Sequence, residues 1–241
     1  MQEFNDYDRF AAEYGEDNEL NVYNALYERP ATLAMVGNVE GRRVLDAGCG
    51  GGSHAQMLRE RGATVTGLDR SRAMLDIARK RLGADVDLVQ ADLNDSLPLP
   101  DSAFDVVIAP LVMHYLPRWD VPLAEFHRVL TEAGTVIIST HHPFMDAVAA
   151  GRNDYLGTYE FTEEWVRGDR RVPMKFWHRP LHKMSEAFSA AGFVLDQIVE
   201  PQPDPTARNI SPRDFERLTR EARFIFFRLH KEAGRVRRDF K

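Results

Sequence analysis

Cysteine is nearly missing from this chain: Cys49 stands alone among 241 residues, so no internal disulfide can form. That argues against a disulfide-stapled secreted scaffold and makes the cytoplasm the expected compartment. No apolar run approaches the roughly 20 residues that cross a bilayer. The opening Met-Gln-Glu-Phe-Asn-Asp has neither the basic start nor the apolar stretch of a signal peptide. A membrane partner is therefore not expected. Excess positive charge is also absent, and a net charge of −6 lacks the basic face that nucleic acid calls for. The one basic cluster, Arg235, Arg237, Arg238 and Lys241, reads as a solvated tail. Internal repeats and low-complexity segments are missing as well. With 44% hydrophobic and 28% charged residues, the composition is that of an ordinary folded domain, and the length suits one domain over residues 1–241.

The most informative stretch is Arg-Val-Leu-Asp-Ala-Gly-Cys-Gly-Gly-Gly at residues 43–52. Val44 and Leu45 read as the end of a buried strand, and Asp46 marks where the chain leaves the sheet. Gly48, Gly50 and Gly52 then give a turn on which no side chain blocks close approach of a ligand. The small Cys49 fits the same loop for its size rather than its reactivity. A helix over 53–61 follows, its free N–H groups and positive dipole end facing whatever lies on that loop. The next strand, 63–69, also ends in a carboxylate, and Asp69 lies 23 residues after Asp46. That is near the spacing of an acid that binds ribose hydroxyls. Glycine loop, helix start and acidic strand end together describe a nucleoside pocket.

Around this stretch, strands and helices alternate: strand 43–46, helix 53–61, strand 63–69, helix 71–82, strand 87–91, strand 104–109, helix 122–130 and strand 134–139. Such alternation predicts a parallel sheet with helices on both faces. Ser71 is the expected N-cap of its helix. Before the alternation, Tyr7, Phe10, Ala11 and Tyr14 share one face of a short helix, and a second helix over 20–36 is expected to be kinked or split at Pro30. After it, residues 140–180 are polar and rich in aromatics, an interruption of the kind that forms a lid or binding insertion. A helix over 183–191, a strand over 193–199, a Pro-rich loop, a helix capped by Ser211 and a strand over 223–229 close the pattern.

The sequence resembles the class I S-adenosylmethionine (SAM) methyltransferases, in particular a small-molecule, bacterial type 11-like branch. Asp46, Gly48, Gly50 and Gly52 match the family's Asp/Glu-x-Gly-x-Gly-x-Gly motif, whereas a dinucleotide-binding loop would want glycine where Ser53 stands. Residues 104–110 and 134–139 resemble its fourth and fifth strands. The resemblance implies a Rossmann-like α/β fold, a seven-stranded sheet whose last strand is antiparallel, with helices on both faces. It divides the chain into a helical N-terminal lid (1–37), a cofactor-binding core (42–140), a substrate-side insertion (141–181) and a C-terminal helix and strand pair (182–230). It also implies SAM as cofactor and S-adenosylhomocysteine as product. In that reading Gly48 and Gly50 let SAM approach, Asp46 orients its ammonium end, Asp69 takes the ribose hydroxyls, and Asp92 and Leu93 face adenine. Arg70 and Pro110 complete the cofactor set. Met74 either packs on adenine or belongs to the core of its helix. Tyr14 either reaches the cofactor's carboxylate or docks an aromatic helix face.

Methyl transfer from a sulfonium mainly needs alignment and exclusion of water, but a hydroxyl, phenol or carbon acid also benefits from a base. His114 after strand four, His142 after strand five and His178 at the end of the aromatic insertion are the candidates to touch substrate. Each of them could instead cap an element or bond a carbonyl. The pair His141-His142 with Asp146 lacks a standard metal-ligand spacing, so no metal is expected. Residues 109–112 read Ala-Pro-Leu-Val, unlike the Asn/Asp-Pro-Pro-Tyr/Phe of enzymes that methylate amino groups of DNA or of protein glutamine. Cys49 lies in the cofactor loop, where it cannot serve as the nucleophile that cytosine-C5 enzymes use. The expected reaction is therefore methyl transfer to O, N or C of a small organic acceptor, which the aromatic insertion suggests is planar or apolar, as in natural-product biosynthesis. The alternative is a SAM-binding enzyme of the same fold that catalyses a non-methylating cyclisation or rearrangement. The protein is expected to act as a monomer or homodimer.

Overall fold

The computed structural model describes residues 4, 5, 7–9, 11, 20–167 and 170–232. Phe10, Tyr14 and the basic cluster at 235–241 lie outside the described residues. Strands β1 (Arg43–Ala47), β2 (Thr64–Asp69), β3 (Asp87–Gln90), β4 (Phe104–Pro110), β5 (Leu130–His141), β8 (Phe193–Val199) and β9 (Phe224–Lys231) form one seven-stranded sheet in the order β3-β2-β1-β4-β5-β9-β8. Strands β1 to β5 are parallel, and β9 runs antiparallel to both its neighbours. This is the Rossmann-like arrangement expected, with its reversed closing strand.

Residues on neighbouring positions of each central strand enter opposite cores. Val44, Val106, Ile137 and Phe226 pack on one face of the sheet, while Leu45, Val107, Ile138 and Phe227 pack on the other. Both sets are buried, which is why these strands read as unbroken apolar runs rather than alternating ones. Helices cover the two faces: Arg29–Val36, Ser53–Glu60 and Arg72–Leu82 among them on one side, Asp120–Val129 and Leu181–Ala190 on the other. No helix among the described residues is long and apolar enough to cross a membrane.

Strand order reverses between β1 and β4, so the carboxyl ends of these strands open a crevice there. Two local features shape it. A π-helical turn, Asn24–Glu28, precedes the helix Arg29–Val36, which carries Pro30 in its first turn. Proline has no N–H for the carbonyl of Leu26, and that oxygen accepts instead from the Asp204 N–H at 2.7 Å. The chain is neither split nor sharply broken at Pro30; the widened turn absorbs the missing bond and leaves Asn24 and Glu28 facing the crevice. The second feature lies in residues 140–180. Its polar, aromatic sequence folds as a short helix, Pro143–Ala149, and a hairpin of β6 (Tyr159–Arg167) and β7 (Arg170–His178) with its own small core of Tyr159, Phe161, Met174 and Phe176.

Candidate active site

The loop after β1 owes its shape to glycine. Gly48 has φ +81°, and a Cβ there would lie 2.7 Å from the Val112 side chain. Gly52 serves the interior, because a Cβ on it would strike Leu82 at 2.9 Å. The helix Ser53–Glu60 starts directly behind. Asp69, at the end of β2, holds the loop from the other side: its two oxygens accept from the Gly50 N–H at 2.8 Å and the Ser71 N–H at 2.9 Å. Ser71 caps the following helix as expected, accepting from the Met74 N–H at 3.1 Å.

These elements wall a cavity at the crevice. Gly48, Gly50, Asp69, Arg70, Met74, Asp92, Leu93 and Pro110 all line it. Met74 is also buried in its helix, so a contact with the cavity and a place in the core coexist. Asp92 is shaped by Asn94, whose N–H and side-chain amide both donate to it. Asn5 and Tyr7 close one side. The Asn5 amide pairs with both the carbonyl and the N–H of Lys175 on β7 at 2.8 Å, and the Tyr7 hydroxyl meets that of Tyr115 at 2.5 Å.

Asp46 is placed differently: it is fully buried behind the cavity wall, and no side chain donates a hydrogen bond to either carboxylate oxygen. Burial raises its pKa to about 6, against the pull of His54 and with added repulsion from Asp69 and Glu28. His54 and Glu28 do line the cavity, and their side chains form an ion pair at 2.9 Å. Thr32 and Ser139 donate to the other Glu28 oxygen at 2.6 and 2.7 Å. Burial works against the charge on both partners. It is outweighed by their mutual attraction, which lifts His54 above the ordinary imidazole range and holds Glu28 below the usual carboxylate range. Sequence reasoning missed this pair. The signal for Glu28 was Pro30 inside a helical pattern, which announces a change of register just before it.

A second cavity adjoins the first across Asn24, Leu111 and Tyr115, which line both. His114, His141, Asp146, Trp165 and Arg223 face it. The His114 and His141 rings stack at 3.7 Å between centroids, and the His141 Nδ1 lies 3.0 Å from an Asp146 oxygen. Burial and the neighbouring His141 push His114 well below its ordinary pKa, so it stays neutral. Phe176 of the hairpin covers the pair, 4.8 Å from His141 and 5.5 Å from His114.

The other two candidate histidines line neither cavity. His142 caps the helix Pro143–Ala149 through Nδ1, which accepts from the Phe144 N–H at 3.3 Å, while Nε2 meets Glu200 at 2.8 Å. His178 is fully buried against Tyr159, with Nε2 on the Tyr155 carbonyl at 2.8 Å. Both take the capping and carbonyl-bonding roles open to any such histidine. His141 was visible in the sequence beside His142, but only the fold shows which of the two points inward.

The pocket's chemistry fits an adenosyl amino acid. Carboxylates stand ready for hydroxyl and amino donors, apolar Met74 and Leu93 offer surface to a base, and the buried Asp46 oxygens lie behind a wall that would meet a cation. Residues 45–138 match the model of a family described as "Methyltransferase domain". Over 142 residues the chain is 38% identical to the malonyl-[acyl-carrier protein] O-methyltransferase of Serratia marcescens, covering 58% of this chain and 50% of that one. It is 41% identical over 135 residues to the fatty-acid O-methyltransferase of Mycolicibacterium smegmatis, covering 54% and 48%. The chain thus spans about half the length of these two relatives. A crystal structure of an S-adenosylmethionine-dependent methyltransferase from Mesorhizobium loti superposes with a TM-score of 0.68 at 25% identity, over 84% of this chain and 96% of that one. Fold, loop and pocket agree with these likenesses: residues 45–138 match a methyltransferase domain, and the chain is similar to the class I S-adenosylmethionine-dependent methyltransferases, type 11-like.

Proposed function

We propose that this domain transfers the methyl group of SAM to an oxygen atom of a small organic acceptor held in the second cavity. The observation that carries this is the shared wall of Asn24, Leu111 and Tyr115, which joins the cofactor cavity to one containing a stacked histidine pair. The O-methyltransferase names of the two relatives support oxygen over nitrogen or carbon. When bound, SAM supplies an electrophilic methyl carbon on a good leaving group.

The residues then do the following. Asp69 and Asp92 hold the nucleoside end, and the glycine loop gives the backbone surface on which the amino-acid end lies. Asp146 fixes the His141 proton on Nδ1, which leaves Nε2 as an acceptor toward the cavity. His141 can then take the proton of an acceptor hydroxyl as the oxygen attacks. His114, neutral and buried, supports the His141 ring from its face without adding a competing charge. The hairpin excludes water above them. Asn5 and Tyr7 on one side, and the helix Pro143–Ala149 with the hairpin's Phe176 on the other, act as the covers of the site.

The test is to incubate the protein with SAM and a panel of phenols, hydroxy acids, fatty acids and quinols, following S-adenosylhomocysteine and the methylated product together. One methylated product per S-adenosylhomocysteine is expected. His141→Ala should lower turnover by about 10²–10⁴-fold, the range of a general base, with the affinity for S-adenosylhomocysteine unchanged. Conversion of an acceptor without S-adenosylhomocysteine would instead indicate a non-methylating reaction on the same fold.

A further inference from the structure

Beneath the glycine loop two carboxylates, Glu28 and Asp46, act on one imidazole, His54, and a third, Asp69, acts on Asp46. Asp46 is the penultimate residue of β1, Asp69 ends β2, Glu28 ends the π-helical turn, and His54 lies in the first turn of the helix Ser53–Glu60. Glu28 and Asp46 are almost wholly sealed from solvent. Asp69 has two backbone N–H donors and Glu28 has His54 with two hydroxyls, but no side chain donates to Asp46. The other charged and titratable groups in reach are few. Arg29 opposes the charge on His54, Arg70 acts on Asp69, and the Cys49 thiol is pushed up by burial, then by Asp46 and Asp69, so it stays protonated. Glu28 and Asp46 share one imidazole, so even with His54 protonated these three buried side chains carry more negative than positive charge, which is costly without a counter-charge. Glu28 and His54 present that deficit to the cavity, with Asp46 behind them.

We propose that Glu28 and His54, backed by Asp46, seat the ammonium of the cofactor's amino-acid end, and that a ligand bearing this ammonium binds with release of a proton. A cation placed against the cluster favours ionised Asp46 and neutral His54, so whichever of them holds the proton at the working pH gives it up to solvent. The sign follows: affinity rises with pH across the range in which the cluster titrates. The inference rests on the reading that this cavity takes SAM. It adds Glu28 and His54 as binding residues and a proton as the third participant.

Calorimetry on the unmodified protein tests it, comparing S-adenosylhomocysteine with methylthioadenosine, which keeps the adenosyl thioether but lacks the amino-acid end. Each is titrated in phosphate and in Tris, whose ionisation heats differ, so that the difference in heat counts protons. Near pH 6.5, roughly half a proton should leave per S-adenosylhomocysteine bound, and its affinity should rise about threefold per pH unit. Methylthioadenosine should bind without proton exchange. Glu28→Gln and His54→Gln should reduce the release; if either fails to fold, the measurement on the unmodified protein still decides. Binding of S-adenosylhomocysteine with no exchange overturns the proposal and leaves the cofactor assignment standing. Proton uptake also overturns it, because it would place the ligand's carboxylate against His54. Failure of both ligands to bind overturns the cofactor assignment and this inference with it.

Discussion

Asp46 shows how a single residue carries opposing demands. Its folded-state pKa of about 6 lies above the ordinary carboxylate value, so ionising it costs the folded protein more than the unfolded chain. The penalty is small in acid, grows as the pH rises from about 4 to about 6, and is constant above that, where a shift of this size amounts to about 3 kcal/mol. Asp46→Asn should therefore stabilise the ligand-free protein by up to about 3 kcal/mol near pH 8 and by about half that near pH 5, while weakening S-adenosylhomocysteine binding. Denaturant unfolding at the two pH values checks it; equal stability gains would show that ionisation is not the cause. At this scale the sequence was uneven. The places of Asp69 and Asp92 on the cavity wall were legible because each stands at or just past the end of a strand, whereas the burial of Asp46 behind that wall was not. Nor were Glu28 and His54, because their role comes from a salt bridge between elements far apart in the chain. Which histidine faces the second cavity was equally hidden, since His141 and His142 are neighbours on opposite sides of one strand end.

At the scale of elements, the strands of the sheet were readable because burial on both faces leaves long apolar runs between glycine turns. The hairpin was not. Strands β6 and β7 bury Tyr159, Phe161, Met174 and Phe176 on one face and leave charged residues on the other, and their length of aromatics and charges gave no clean period. This small core sits directly on the histidine pair, so its packing should govern both hairpin stability and chemistry. Phe176→Ala removes a fully buried ring that touches His114, Tyr115 and His141. Truncations of this kind cost about 3–5 kcal/mol. Thermal unfolding should report that loss, and acceptor turnover should fall further than S-adenosylhomocysteine affinity, because the adenosyl cavity does not use this ring. An equal loss of both would mean that the hairpin supports the cofactor cavity as well.

For the molecule as a whole, the parallel sheet fixes one crevice at the reversal between β1 and β4, and residues of the 140–180 insertion, with Asn21, Tyr23 and Asn24, wall a second cavity beside it. Asn5 and Asp8 tie these parts together. Asn5 is bonded to β7 of the hairpin, and Asp8 accepts from the Ser71 hydroxyl at 2.5 Å and the Ala73 N–H at 3.0 Å at the start of the helix Arg72–Leu82. The hairpin and the helix Arg72–Leu82 are thereby strapped to each other across the cavity mouth. The most direct test of this division is a crystal structure with S-adenosylhomocysteine. Adenine should lie at Asp92 and Leu93, the ribose at Asp69, the ammonium toward Glu28 and His54, and the sulfur at the wall of Leu111 and Tyr115, facing the second cavity. A sulfur turned away from that wall, or a ligand seated outside the cavity under the glycine loop, would contradict it.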